Sequence, residues 1–110
     1  MKKEEGLKYD DGKLRWDLLP ENALCEVAKV FTEGAKKYGD RNWEKGIVYG
    51  RLYAAARRHL SAFIQGERID EIGTHHLANA VVNLMMMLSF ELDGKEKEFD
   101  NLTRQRIQHD

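Results

Sequence analysis

The chain has 110 residues, with apolar side chains at 42%, charged ones at 34% and a formal net charge of −1. That is enough for one hydrophobic core and too little for two, and the near-neutral balance offers no field for tracking a polymeric nucleic acid. A single cysteine, Cys25, excludes an internal disulfide and fits a reducing compartment.

The opening MKKEEG lacks the apolar segment of a secretion signal, and the longest apolar run contains Asn and His and is shorter than a bilayer crossing. The expected setting is the cytoplasm, with no membrane partner. Residues 1–110 read as a single all-α domain, a small helical bundle with a core over about 8–92 and a polar C-terminal tail over 93–110.

In chain order, residues 1–7 are charged, and KYDDGKLR (8–15) carries an Asp-Gly turn that reads as a loop or small hairpin. Pro20 suits the first position of a helix and Gly39 its end, which frames a first helix from Pro20 to about Tyr38 with Leu24, Val27, Ala28, Phe31 and Ala35 on its apolar face. A polar connection, GDRNWEKG (39–46), leads to a second helix from about Val48 to Ile64, ended by Gln65-Gly66. Its core face carries Leu52, Ala55, Ala56 and Phe63, and His59 shares that face.

After a charged link over 67–71 comes THHLANAVVNLMMMLSF (74–90), without one Asp, Glu, Lys or Arg; this third helix runs to about Leu92 and stops at Asp93-Gly94. At helical spacing it is apolar on every side, as expected of a helix surrounded by protein. Three helices and a tail do not readily hide such a rod, so a homo-oligomer formed through the third helix is expected, with Met85, Met86 and Met87 as adaptable filler. Phe99, Leu102 and Ile107 in the tail allow a weak fourth helix or a docking segment.

The third helix also carries a polar stripe. His76, Asn79 and Asn83 fall within about 60° of one another on the helical wheel, and His75 about 40° beyond Asn79. Each costs roughly 1–3 kcal/mol if buried without a partner, so a metal, a ligand or polar groups on facing helices must satisfy it.

Three groups of residues carry candidate chemistry. The histidines His59, His75 and His76 are metal ligands, general bases or phosphate donors by type, although a core histidine is usually satisfied by a backbone carbonyl. The carboxylates Glu26 and Glu33, and Glu67, Asp70 and Glu71, have the oxygen chemistry that holds Mg²⁺ or Mn²⁺. Their competing readings are a solvated stripe paired with Lys29 and Lys36, and acidic residues favouring a helix N-terminus.

The third group is basic and aromatic: Lys8, Lys13, Arg15, Lys36, Lys37, Arg41, Arg51, Arg57 and Arg58 with Tyr38 and Trp43. Phosphates need such cations and a purine stacks on such rings, whereas dispersed charge is usually solubilising surface. YGDRNW (38–43) stands out, because it packs two aromatics, an Arg and an Asn into a connection, where binding groups concentrate.

The segments KYDDGKLRWDLLP, EVAKVFTEGAKKYGDRNWEKG, RLYAAARRHLSAF and GERIDEIGTHHLANAVVN together resemble the phage-associated family described as the N-terminal domain of dATP/dGTP diphosphohydrolase, itself similar to MazG-like all-α nucleoside triphosphate pyrophosphohydrolases. The resemblance covers residues 8–92 in order, most specifically GAKKYGDRNW and HHLANAVVN. It implies an oligomeric helical bundle that cuts a (deoxy)purine nucleoside triphosphate between the α and β phosphates, giving a monophosphate and pyrophosphate.

Carried over residue by residue, the resemblance implies Glu26, Glu33, Glu67, Asp70 and Glu71 as ligands of Mg²⁺ or Mn²⁺, with Glu33, His59, Asp70 and His76 as catalytic groups. Lys13, Arg15, Lys37 and Arg58 would neutralise the phosphates, while Tyr38, Asn42, Trp43, Asn79 and Asn83 would line the nucleotide pocket. The MazG pattern has an E-x-x-E pair on one helix and E-x-x-D inside another. Here Glu26 and Glu33 stand seven apart, the E-x-x-D reads Glu67 to Asp70 in a link, and the interior positions are His76, Asn79 and Asn83. The alternative expectation is therefore a non-catalytic protein of phage origin that sequesters a linear or cyclic signalling nucleotide made by host defence. A helical interaction module whose polar stripe only fixes packing register is the third.

Overall fold

The computed structural model describes residues 4–102. Two short 3-10 turns, Trp16–Leu18 and Asn42–Lys45, punctuate four helices: α1 (Glu21–Tyr38), α2 (Tyr49–Ile64), α3 (His76–Leu92) and α4 (Glu96–Phe99). The protein is all-α; among the described residues the extended pairing is one isolated bridge, between Ile69 and His75. The stretch expected as a loop or hairpin is a loop, turned where the Lys13 amide donates to the Asp10 carbonyl at 3.0 Å.

Helix boundaries follow the punctuation of the sequence. Pro20 caps α1 and Gly39 closes it, its amide bonded to the Ala35 carbonyl at a φ of 96° that favours glycine. Val48 leads into α2, Gln65 and the positive-φ Gly66 end it, and Asp93 with Gly94 ends α3. No helix is long and apolar enough to cross a membrane among the described residues.

α3 is the central element, packed against α2, α1 and α4. Its inner line, from Ala78 through Val82 to Phe90, meets Tyr49, Leu52 and Ala56 of α2. Phe90 collects rings around it, with centroids at 5.7 Å to Trp43, 6.5 Å to Tyr49 and 5.4 Å to Phe99. Trp43 in turn meets Phe31 of α1 at 6.1 Å. The tail expected to dock does so: Phe99 and Leu102 join the core, and Asn101 accepts the Gly50 amide at 2.7 Å. Ile107 lies outside the described residues. Gly46 is required where it is, because its φ is 114° and a Cβ there would overlap the Phe99 ring.

The chain does not by itself cover α3: Leu77, Val81, Leu84, Met85 and Leu88 remain exposed, with α1 and α2 on one side and nothing among the described residues reaching the other. One expectation needs correction. α1 contributes no fully buried residue, and Leu24, expected on its core face, is exposed. The arm before α1 also displays Leu7, Tyr9, Leu14 and Trp16 to solvent.

The aromatic cluster sets the stability. Phe90→Ala should cost about 3–5 kcal/mol in equilibrium denaturation, the range for emptying a packed aromatic site. Tyr49→Phe should cost only about 1 kcal/mol, because it removes one hydroxyl bond, at 2.7 Å to an exposed Glu91 that water can resolvate.

Candidate functional site

Helices α1, α2 and α3 and the connection between the first two enclose an open cleft of about 1200 Å³. That volume lies somewhat above the range of ordinary ligand sites, roughly 300–1,000 Å³. The cleft exists because α1 packs on α3 but stands off from α2, and the 39–47 connection spans the gap. Arg41 bends that connection through the left-handed region at φ 57°, the one non-glycine residue there among those described, and its guanidinium is tied to Glu44 at 2.8 Å.

Three cations on the lining, Lys37, Arg51 and Arg58, have no carboxylate partner among the described residues. Tyr38 stands at the rim, 61% exposed, with the Lys37 ammonium 5.2 Å from its ring centre. Trp43 and Asn42 also line the cleft, but Trp43 is half-buried between Phe31 and Phe90, so its ring is largely spent on the core. Arg41 and Arg51, named in the sequence only among the dispersed basic candidates, also line the cleft; dispersed arginines carry no periodic signal, and only the course of the chain brings them to it.

The inner wall is the polar seam between α2 and α3. His59 Nδ1 and His76 Nδ1 lie 2.9 Å apart, their rings tilted by 46°. His76 is 7% exposed, whereas His59 is half-buried and reaches the cleft. Burial first, then the neighbouring His76 and Arg58, push the His59 pKa below its ordinary value against an opposing pull from Asp70, so His59 is neutral at physiological pH.

His75 is not part of this pair. Its Nδ1 accepts the Leu77 amide at 3.0 Å as the N-cap of α3, and its ring lies against Phe63.

The remaining stripe residues are held by their own chain. Asn79 donates to the Thr74 hydroxyl at 2.8 Å and to the His75 carbonyl at 2.9 Å, and Asn83 donates to the Asn79 carbonyl at 2.9 Å. Both asparagines still line the cleft.

Asp70 is the anchor of the link before α3. Its Oδ1 accepts the Ile72 amide, the Thr74 amide and the Thr74 hydroxyl at 3.0, 3.0 and 3.1 Å. Burial works to raise its pKa, but the amide and hydroxyl of Thr74 and the amides of Ile72 and Gly73 outweigh it, leaving the carboxyl below its ordinary value.

The five expected metal carboxylates are not gathered within one chain. Glu26 pairs with Lys29 at 2.9 Å and Glu33 with Lys36 at 3.2 Å, the competing surface reading; of the two, Glu33 lines the cleft. Asp70 is committed to its loop, and Glu67 and Glu71 are exposed on the link. No group of three or more His, Cys, Asp or Glu among the described residues is placed to hold a metal ion. Lys13 and Arg15 also lie away from this cleft, on the exposed arm, where Arg15 grips Asp17 at 2.8 Å.

Asp70→Ala should lower stability by about 2–3 kcal/mol, since three donors lose a charged acceptor. The depressed carboxyl contributes stability that is present above its unfolded pKa, about 3.9, and lost as pH falls through its lower folded value. Thermal melts of Asp70→Asn, compared with the native protein between pH 7 and pH 2, should therefore show a weaker acid dependence.

The sequence matches the family model described as dATP/dGTP diphosphohydrolase, N-terminal, over residues 3–100. It is also similar to the dATP/dGTP diphosphohydrolase of Salmonella phage PMBT28, 39% identical over 83 residues, covering 74% of this chain and 28% of that protein. The chain thus spans under a third of the relative's length. No solved structure matches it at a significant level.

Proposed function

The chain belongs to the dATP/dGTP diphosphohydrolase N-terminal family, and from that premise we propose that it is a nucleotide-handling domain that splits a purine deoxynucleoside triphosphate into its monophosphate and pyrophosphate. The observation that carries this reading is the cleft with Lys37, Arg51 and Arg58 uncountered beside the neutral His59. The three cations compensate the triphosphate, and charge that grows on the leaving pyrophosphate is stabilised by the same side chains. The base stacks on the exposed Tyr38 ring, and Asn79 and Asn83 offer amide groups to base or sugar. Mg²⁺ or Mn²⁺ enters as the complex of the triphosphate, bound to its own phosphate oxygens. The setting is the cytoplasm, where such nucleotides are found.

A second reading is favoured by one observation, the absence of a gathered carboxylate set among the described residues. A cleft of cations, amides and an aromatic ring grips a nucleotide without hydrolysing it, which describes a sequestering protein.

The domain works as an assembly of identical chains. A radius of gyration of 18.6 Å exceeds the roughly 13 Å of a compact chain this size, and two apolar surfaces in the chain lack cover: the α3 flank of Leu84, Met85 and Leu88, and the arm with Leu14 and Trp16. Each is the kind of surface that covers the other in a second copy, and an arm so docked carries Lys13 and Arg15 to its partner.

A panel of deoxy- and ribonucleoside triphosphates and cyclic nucleotides, incubated with protein and Mg²⁺ or Mn²⁺ and resolved by chromatography, separates the two readings. Pyrophosphate and a purine monophosphate are expected from dATP or dGTP, and Arg58→Ala should raise KM by about tenfold through loss of one phosphate contact. A nucleotide that leaves the free pool and returns intact on denaturation would establish sequestration instead.

Light scattering should give a mass of at least two chains, reduced to one by Leu84→Asp with Leu88→Asp. A native mass of one chain would sink the assembly.

A further inference from the structure

We propose that Glu67, His76 and His59 form a directed relay whose cleft end, His59 Nε2, is the base that takes a proton from the attacking water. The inference deepens the hydrolytic reading above and rests on it. It starts from a counting constraint on protons.

Two imidazole Nδ1 atoms 2.9 Å apart share one hydrogen, so one ring donates and the other accepts. With both rings neutral, a His76 that donated would leave its Nε2 a bare lone pair, buried, with the Glu67 Oε2 atom facing it at 3.6 Å. Two acceptors would then oppose each other at a side chain that is 7% exposed. If His59 donates, His76 carries its proton on Nε2 and points an N–H at the Glu67 carboxylate. This arrangement suits the one buried side-chain polar atom that lacks a hydrogen-bond partner among the described residues, His76 Nε2. The 3.6 Å separation is longer than a hydrogen bond, and the Glu67 side chain, 71% exposed, has room to close it.

The consequence lies at the other end. With its Nδ1 proton donated to His76, His59 has a bare lone pair on Nε2, which has no hydrogen-bond partner among the described residues and lies across the ring from the Nδ1 that meets His76; His59 itself lines the cleft. Burial of the ring, first among the causes, lowers the His59 pKa and so favours the form with that lone pair free.

In the step, the water oxygen bonds to the α-phosphorus as the bond from that phosphorus to the α–β bridging oxygen breaks. Pyrophosphate leaves with the electron pair, and the water proton moves to His59 Nε2. The imidazolium formed keeps its Nδ1–H on His76, whose acceptor nitrogen is strengthened by Glu67 on the far side. The proton returns to solvent through the open cleft when products leave. Glu67 and His76 are positioning residues, since neither touches the substrate. The base needs no gathered carboxylates, which accounts for a diphosphohydrolase relative without them in one chain.

Nitrogen-15 NMR of the histidine rings reads the tautomers directly, without substrate. His59 is expected as the Nδ1–H form and His76 as the Nε2–H form, with the His76 signals shifted in Glu67→Gln. The reverse pair of tautomers overturns the relay whatever the activity. In kinetics, His59→Asn keeps a donor near the Nδ1 position and removes the base, so kcat should fall by about 10²–10⁴ with KM little changed. Glu67→Gln should lower kcat several-fold at constant KM, with partial recovery in Glu67→Asp. An active native protein whose His59→Asn variant retains kcat overturns the base assignment alone; a native protein that turns over no triphosphate overturns the hydrolytic reading and the base with it, while the tautomers still report whether the relay exists.

Discussion

The packing of Phe90 is the constraint on which the rest of the structure depends. Its ring meets Tyr49 of α2, Trp43 of the connection and Phe99 of α4, and through Trp43 it reaches Phe31 of α1. One side chain thereby fixes the relative placement of every helix in a chain with few fully buried residues. Because Trp43 is the wedge between α1 and the core, the same contact that stabilises the fold also holds α1 away from α2. The gap left between them is the cleft.

Below the aromatic cluster the packing changes character. The α2–α3 seam toward the start of α3 is closed by His59 and His76 rather than by aliphatic side chains, and the link that leads into it is stapled by Asp70. Buried polar groups of this kind add little net stability when satisfied and cost a good deal when not. Their value is geometric: the Asp70 loop sets where α3 begins, which places His76 behind His59. Fold stability thus resides mainly at the Phe90 end and chemistry at the His76 end of one helix.

Much of this was legible in the sequence where the physics is local. Pro20, Gly39, Gly66 and Gly94 frame the helices because their backbone preferences act within a few residues. The polar stripe of His76, Asn79 and Asn83 was visible as a conflict between an apolar rod and its own side chains. What was not legible depended mostly on distant parts of the chain: only the path of the 39–47 connection brings Arg51 into the cleft with Lys37. The Asp70 staple is the exception, a local turn in which the amides of Ile72 and Thr74 and the Thr74 hydroxyl take up a carboxylate that reads in the sequence as a metal ligand or a helix N-terminal charge. Of the two aromatics in YGDRNW expected to suit a base, Trp43 is largely claimed by the core, whereas Tyr38 is exposed. The want of cover on α3 was legible too, because periodicity records that a surface wants cover, although it does not say which chain supplies it.

The relation between the carboxylates and the imidazoles follows from the same division of labour. A carboxylate cluster needs several acidic side chains to converge, and their mutual repulsion must be offset by a cation. In this chain the acids stand apart, with Glu26 and Glu33 neutralised by the lysines three residues on and Asp70 by amides. The imidazole pair needs no such convergence, because its two Nδ1 atoms, 2.9 Å apart, share one hydrogen. A seam so built is stable with nothing bound. The cleft beside it carries Lys37, Arg51 and Arg58, cations with no carboxylate partner of their own among the described residues.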